Sequence, residues 1–193
     1  MAKSNGKKIN IAVFISGRGS NLRSLIKKYK AKYSPITIKL VISSNPNAKG
    51  LMYARQSKIK SYVTNFKKNN TTEKKLLKKL SDSNIDLICL AGFMKILSKN
   101  FIKQFNNPIL NIHPSLLPKY KGLNTHKRVI KKKEKYSGAT VHLVSEKLDS
   151  GRIVLQKKIK ISKYENEKTL EKKILKVEHV LYPKAIKKLL INL

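Results

Sequence analysis

An asparagine and a histidine two positions apart, Asn111 and His113, are of residue types that can carry out chemistry together. They close a short apolar run after Pro108 that is typical of a strand, and side chains two residues apart on a strand point to the same side. An amide donor and an imidazole that converge on one point can stabilise a developing oxyanion and move a proton. Acyl transfer to an amine needs both. An Asn-x-His pair is weak support by itself, because many histidines are structural.

Two further polar positions lie downstream of this pair. Asp149 stands in a turn at residues 148–151, where its carboxylate could pair with an imidazolium and raise its proton affinity. His142 alternates along the strand before that turn and could be a supporting hydrogen-bonding group. Taken alone, both are also ordinary turn and strand residues.

The turn at residues 16–21, Ser-Gly-Arg-Gly-Ser-Asn, links a strand pattern to a helical one. Its glycines permit a tight turn, and the first N–H groups of a helix favour an anion. The turn lacks the third glycine of the dinucleotide fingerprint, and residues 43–45, after the second strand, include no acid. We therefore expect it to hold a single phosphate through Gly19, Ser20 and Asn21. The alternative is a plain strand-to-helix turn.

The elements that must position these residues alternate between strand and helix. We predict strands at 9–15, 36–42, 61–63, 85–90, 108–112, 138–144 and 153–161, and helices at 20–32, 49–57, 71–80, 98–105, 125–133 and 167–190. This order indicates the α/β class, with a Rossmann-like doubly wound sheet that is parallel in its N-terminal half and mixed in its C-terminal half. Ser98 is expected to cap its helix, and Pro183 to kink or break the last one.

Length and apolar content favour one domain over residues 1–193, with a basic, flexible N-terminus at residues 1–8. No run approaches the roughly 20 apolar residues of a membrane span, and no apolar segment with a cleavage site follows the basic start. The single cysteine, Cys89, lies in an apolar run and is expected to be a reduced core thiol. We therefore expect a cytoplasmic protein without membrane association.

The charge balance is extreme, because Lys and Arg total 44 against 10 Asp and Glu, a formal net charge of +34. Most of the excess is Lys, spread through nearly every predicted helix. Nucleic-acid modules more often concentrate Arg and aromatic residues on one face. We expect faster capture of small anions and no specific nucleic-acid partner.

Taken together, these segments resemble the glycinamide ribonucleotide formyltransferases, the folate-dependent enzymes of purine biosynthesis. The matching segments follow one order along nearly the whole chain: 16–21, 90–97, 111–118, 119–123, 125–126, 138–142, 148–151 and 178–179. The resemblance implies the formyltransferase fold. It also implies transfer of the formyl group of 10-formyltetrahydrofolate to the amine of 5-phosphoribosylglycinamide, without a tightly bound cofactor or a metal.

The resemblance also implies roles for individual residues. Asn111 would hold the formyl oxygen as it gains charge, and protonated His113 would support that charge and help to protonate the departing folate nitrogen. Asp149 would keep His113 charged and could order a water that accepts the amine proton. Supporting positions are His142 and Ser115.

Ligand contacts follow from the same resemblance. Folate would lie along Met94, Lys95, Ile96, Leu97 and Asn111. The ribonucleotide would contact Gly19, Ser20, Asn21 and Glu178. Three positions depart from the usual pattern: residues 71–75 offer no Arg for the folate tail, Lys95 replaces an Arg, and Leu175 replaces a polar residue.

Three alternatives remain open. Methionyl-transfer-RNA formyltransferase and formyltetrahydrofolate hydrolase share the Asn, His and Asp logic, but each is expected to need a further domain that 193 residues do not hold. A basic nucleic-acid-binding protein on a decayed enzyme scaffold is the third. For the formyltransferase we expect a monomer or a weak homodimer.

Overall fold

A computed structural model describes residues 8–31, 33–66 and 70–191 of the chain. These residues form two compact units, which divide between Pro108 and Ile109. Of the predicted basic N-terminus, only Lys8 is among the described residues. The single domain over 1–193 stays a prediction.

The first unit is a parallel sheet with helical connections. Its strands are β1 (Ile9–Ile15), β2 (Ile36–Ser43), β3 (Lys60–Val63) and β4 (Leu87–Leu90), and its helices are α1 (Ser20–Tyr29), α2 (Gly50–Gln56), α3 (Asn70–Asp82) and α4 (Lys99–Phe105). The strands lie in the order β3-β2-β1-β4, and β1 pairs in parallel with both β2 and β4. The apolar runs of β1 and β4 are buried along almost their whole length, as expected for a sheet covered on both faces.

The carboxyl ends of these parallel strands meet at one edge of the sheet. Ile15 pairs with Ser43, and Phe14 pairs with Leu90. The residues that follow remain together, because the N–H of Ser16 donates to the carbonyl of Gly92 at 3.2 Å. The turn after β1 and the loop after β4 are therefore neighbours.

The second unit is an antiparallel sheet covered by a long helix. Its elements are β5 (Ile109–His113), α5 (Thr125–Lys131), β6 (Tyr136–Leu143), β7 (Ile153–Lys160) and α6 (Glu167–Ile191). The strands lie in the order β5-β6-β7, with antiparallel pairing throughout. The hydroxyl of Tyr182 on α6 donates to the carbonyl of Leu110 on β5 at 3.1 Å and fixes the helix over the sheet.

The predicted α/β class, with a parallel first half and antiparallel pairing in the second, is confirmed. Ser98 caps α4 as predicted, since its hydroxyl accepts the N–H of Phe101 at 2.9 Å. Of the predicted kink or break at Pro183, the break is wrong, because α6 runs unbroken from Glu167 to Ile191, and the kink stays a prediction. A proline inside a helix costs about 3 kcal/mol, and burial of the neighbouring Tyr182 and Ala185 offsets this cost.

Within the described ranges, no helix is both long enough and apolar enough to cross a membrane.

Candidate active site

The site in the second unit begins with two side chains of β5. Register places Asn111 opposite His142 of β6, and the amide nitrogen of Asn111 lies 3.2 Å from Nε2 of His142. His113 lies two residues further along β5 and is only 5% exposed. The predicted pairing of an amide and an imidazole on one side of a strand is therefore present, and His142 joins it.

Asp149 lies between β6 and β7 and adopts the left-handed conformation, with φ of 46°. Aspartate tolerates this region better than most residues. The approach of the loop to β6 requires a glycine at position 151, because a Cβ there would lie 1.8 Å from the carbonyl oxygen of Leu143. The turn thus brings the carboxylate back to the end of β5.

The carboxylate of Asp149 contacts all three other side chains. Its Oδ1 accepts an N–H of Asn111 at 3.3 Å and lies 3.5 Å from Nε2 of His142. Its Oδ2 lies 3.4 Å from Nδ1 of His113 and accepts the main-chain N–H of Gly122 at 2.8 Å. The structure therefore brings together Asn111, His113 and Asp149, with His142 in support.

Hydrogen bonds to main-chain carbonyls show which ring nitrogen of each histidine carries a proton. A carbonyl only accepts, so Nε2 of His113 donates to the carbonyl of Tyr120 at 2.8 Å, and Nδ1 of His142 donates to that of Leu143 at 2.8 Å. Nε2 of His142 faces the amide nitrogen of Asn111 and Oδ1 of Asp149. In His113 the second nitrogen, Nδ1, faces Asp149.

The pKa of Asp149 falls from 3.8 to about 2. Burial is the largest single influence and acts to raise the pKa. The hydrogen bonds from His142 and from the N–H of Gly122, with the charges of both histidines, together outweigh burial. Asp149 is therefore ionised at neutral pH.

The pKa of His113 lies below its ordinary value of 6.5. Burial disfavours the imidazolium and is the largest influence, while the Tyr120 carbonyl and the Asp149 charge act in the opposite direction. The Asp149 carboxylate thus raises the pKa of His113, as predicted, but burial has the larger effect. Ligand-free His113 is mainly neutral at pH 7.

The predicted phosphate turn lies in the first unit, between β1 and α1. Gly19 precedes α1 in the left-handed conformation, with φ of 71°, and a Cβ there would lie 2.4 Å from Cα of Gly50. Ser20 and Asn21 open the helix, where main-chain N–H groups have no helical partner. No acidic residue stands in this first turn, which leaves it suited to an anion.

The predicted folate segment lies beside this turn in the first unit. The N–H of Met94 donates to the hydroxyl of Ser16 at 2.8 Å, which fixes the loop after β4. Met94 and Ile96 are 65% and 77% exposed, and Lys95 is exposed between them. Leu97 is only 5% exposed, so its side chain belongs to the core. The exposed apolar pair is the part of the segment suited to an aromatic ligand.

Glu178, predicted to contact the ribonucleotide, lies on α6 of the second unit and is 5% exposed. Buried carboxylates are uncommon without partners or function. Among the residues whose positions are described, no group of three histidine, cysteine or acidic side chains has the arrangement of a metal site.

Comparison with known proteins gives the family. The Formyl transferase family matches residues 9–186. Phosphoribosylglycinamide formyltransferase of Haemophilus influenzae is 42% identical over 180 residues, which cover 92% of this chain and 85% of that protein. The chain belongs to the formyl transferase family.

Solved structures agree with this assignment. Phosphoribosylglycinamide formyltransferase from Anaplasma phagocytophilum is 39% identical with a TM-score of 0.89, covering 94% of this formyl transferase and 86% of that chain. The enzyme of the same name from Brucella melitensis is 40% identical with a TM-score of 0.88, covering 95% and 96%.

A longer relative matches only in part. The trifunctional purine biosynthetic protein adenosine-3 of Drosophila melanogaster is 41% identical over 181 residues, which are 91% of this formyl transferase but 13% of that protein. The remaining length of that relative has no counterpart in this chain.

The loop after β5 contains groups that the sequence patterns did not reveal. The predicted supporting residue Ser115 donates to the carbonyl of Lys119 at 2.7 Å, and the hydroxyl of Thr140 donates to the carbonyl of Ser115 at 2.6 Å. Tyr120 and Gly122 contact His113 and Asp149 through main-chain atoms. Contacts made by main-chain atoms leave no pattern in the sequence, because almost any residue type can make them. Tyr120 and Gly122 both lie in the matching segment 119–123, but no pattern there indicated these main-chain contacts.

Proposed function

We propose that this formyl transferase moves the formyl group of 10-formyltetrahydrofolate to the amine of 5-phosphoribosylglycinamide, giving N-formylglycinamide ribonucleotide and tetrahydrofolate. The relatives named for phosphoribosylglycinamide formyl transfer cover most of the chain and support this acceptor. The observation that carries the proposal is the buried cluster of Asn111, His113 and Asp149, since it supplies an amide donor, an imidazole and a carboxylate within hydrogen-bonding reach.

The chemistry begins with attack of the substrate amine on the formyl carbon. A new carbon–nitrogen bond forms, and the formyl oxygen takes up negative charge. An N–H of Asn111 stabilises this oxygen once it turns from Asp149 or His142, to which it donates in the ligand-free site. His113, which is mainly neutral in the ligand-free site, supports the same charge once it has taken up a proton.

Collapse of the tetrahedral intermediate breaks the bond between the formyl carbon and the folate nitrogen. The amine loses one proton and the departing nitrogen gains one, so the site must move a proton without consuming it. The ionised Asp149 can hold a water that takes the amine proton and passes it to His113. His113 then gives a proton to the leaving folate nitrogen, so both groups return to their starting states. We propose no metal and no tightly bound cofactor.

Substrate binding is assigned to residues outside this cluster. We propose that Gly19, Ser20 and Asn21 bind the ribonucleotide phosphate and that Glu178 contacts its ribose or glycinamide end. Folate is assigned to Met94, Lys95 and Ile96, with the main chain of Leu97. The exposed apolar side chains of Met94 and Ile96 support this assignment.

A transfer assay with purified protein tests the proposal. Wild-type protein should form N-formylglycinamide ribonucleotide, and His113→Ala should reduce turnover by about 100-fold or more, as for loss of a positioned acid-base group. Asn111→Ala should also reduce turnover, whereas Asn100→Ala, on the exposed face of α4, is the matched control. Undiminished turnover of His113→Ala would contradict the proposed role.

The acceptor is tested in the same assay. Water and methionyl-transfer RNA should each give far less product than 5-phosphoribosylglycinamide. Faster transfer to either would identify this chain as a hydrolase or a transfer-RNA formyltransferase.

A further inference from the structure

One short main-chain segment contacts both members of the pair formed by His113 and Asp149. The carbonyl of Tyr120 accepts the Nε2 proton of His113 at 2.8 Å, and the N–H of Gly122 donates to Oδ2 of Asp149 at 2.8 Å. Two residues of backbone therefore set where the imidazole stands relative to the carboxylate. A shift of this segment would move both groups.

The segment has a backbone conformation that its sequence does not favour. Tyr120 has φ of 59°, in the left-handed region that bulky side chains rarely adopt. Such a conformation persists only when surrounding contacts enforce it. The side chains that provide these contacts are therefore candidates for a role in the site.

Two of these contacts come from Glu134, which follows α5. The hydroxyl of Tyr120 donates to Oε1 of Glu134 at 2.8 Å, and Nζ of Lys119 lies 3.2 Å from the same oxygen. Two successive residues of the segment are thus tied to one carboxylate. Its side chain is 28% exposed, which leaves it accessible to substitution without a cavity in the core.

Arg128 of α5 holds the other side of the segment. Its guanidinium lies 5.3 Å from the centre of the Tyr120 ring and donates to the carbonyl of Lys121 at 2.6 Å. Stacking and hydrogen bonding together restrict both the ring and the backbone that follows it.

We propose that Glu134 is a positioning residue, which holds Tyr120 in the left-handed conformation so that its carbonyl keeps the imidazole of His113 aligned on Asp149. This inference rests on the proposed function, in which His113 supports charge on the formyl oxygen. Glu134 acts through Tyr120 and contacts neither substrate.

Release of this segment would change the pKa of His113 in one direction. The charged or titratable groups that face it are Asp149, His142, Arg128 and His126. The hydrogen bond to the Tyr120 carbonyl favours the imidazolium, so its loss lowers the pKa of His113 further. A released segment would therefore leave His113 both misaligned and less often protonated.

Steady-state kinetics give the first test. Glu134→Ala should lower kcat about 10-fold, with KM for both substrates within about twofold, because positioning of the reacting groups is lost and substrate contacts are kept. Glu134→Gln should recover most of this loss, since an amide oxygen still accepts the Tyr120 hydroxyl. Tyr120→Phe should lower kcat by a similar factor, and the double variant Glu134→Ala/Tyr120→Phe should be no slower than either single variant.

Glu165→Ala is the matched control, because Glu165 also pairs with a lysine in the second unit, at 3.0 Å from Lys173. It should leave kcat unchanged. Thermal unfolding of every variant identifies losses of activity that follow from unfolding.

Titration of ¹⁵N-labelled histidines gives a test that needs no turnover. The pKa of His113 should fall in Glu134→Ala and return toward the wild-type value in Glu134→Gln. Unchanged kcat and unchanged His113 titration in folded Glu134→Ala and Tyr120→Phe would overturn the inference. Absence of formyl transfer in wild-type protein would instead overturn the proposed function, and the histidine titration would still decide the role of Glu134.

Discussion

Asp149 is buried, yet its carboxyl is more acidic than in an unfolded chain, with a pKa near 2 instead of 3.8. Burial alone would give the opposite shift, so the hydrogen bonds and the charges around the carboxylate outweigh burial and keep it ionised. A site that contains a fixed negative charge of this kind can hold a cation or an imidazolium when one forms during the reaction.

This shift predicts a pH-dependent contribution to stability. A carboxyl with a lowered folded-state pKa stabilises the fold above its unfolded pKa, and this contribution is lost as pH falls from about 4 to about 2. Asp149→Asn should therefore unfold more easily than wild type at pH 7, by up to about 2 kcal/mol. Urea titrations at pH 7 and at about pH 2 measure the difference, which should shrink at the lower pH. Asp82→Asn, at the exposed end of α3, is the control, and a constant difference at both pH values would contradict the prediction.

The charge of Asp149 also predicts the titration of His113. Because the carboxylate raises the pKa of His113 and burial lowers it, Asp149→Asn should lower that pKa further. Nuclear magnetic resonance titration of ¹⁵N-labelled histidine measures the value in both proteins. An unchanged or higher pKa for His113 in the variant would show that the pair is not electrostatically coupled.

The side chains of this site could be predicted from the sequence, and their main-chain partners could not. Asn111, His113 and Asp149 are candidates because an amide, an imidazole and an acid occur at a strand end and in a turn, and only the family resemblance joined them into one set. The carbonyl of Tyr120 has no such signal, since every residue has one and its direction depends on φ. The pKa of His113 also depends on how deeply the ring is buried, which the neighbouring residues in the sequence do not reveal.

At the scale of elements, the turn after β1 depends on close packing against α2. Gly19 and Gly50 approach so closely that a Cβ on Gly19 would overlap Cα of Gly50, and the N–H of Gly50 donates to the carbonyl of Gly17 at 3.0 Å. This close packing restricts the turn, so its N–H groups are ordered in the ligand-free protein.

This packing predicts a contrast between two glycines of one turn. Gly19→Ala should lower the free energy of unfolding by about 3 kcal/mol, from left-handed strain and steric overlap with Gly50. Gly17→Ala is the matched control, because a Cβ at that position meets no atom within 4 Å. Urea unfolding compares the two variants. Equal stability would show that the turn adapts to a side chain.

The order of strands and helices followed from apolar periodicity and turn residues, and element ends differ from the prediction by a few residues at most. Pro183 shows where local rules fail. A proline predicts a helix break from its missing N–H, but burial of its neighbours on α6 decides the outcome. Tertiary packing of this kind depends on residues distant in the chain, such as Leu110, which pairs with Tyr182.

At the scale of the whole molecule, repulsion between cations is the dominant electrostatic effect. Ten acidic residues can pair with only a fraction of 44 Lys and Arg. The remaining positive charges repel one another more strongly in the compact state than in an unfolded chain. The same positive field attracts both proposed substrates, which are anions.

Salt should therefore stabilise this protein instead of weakening it. Raising NaCl from about 0.01 M to about 0.1 M shortens the Debye length from about 30 Å to about 10 Å, which screens repulsion across the molecule more than it weakens the few close ion pairs. The free energy of unfolding, measured by urea titration, should rise over this range.

The combined variant Lys168→Glu/Lys172→Glu/Lys176→Glu changes exposed positions on α6 and lowers the net charge, so its stability should respond less to salt. Stability that falls with salt in wild-type protein, or responds equally in both proteins, would mean that attractive ion pairs outweigh the excess of lysine.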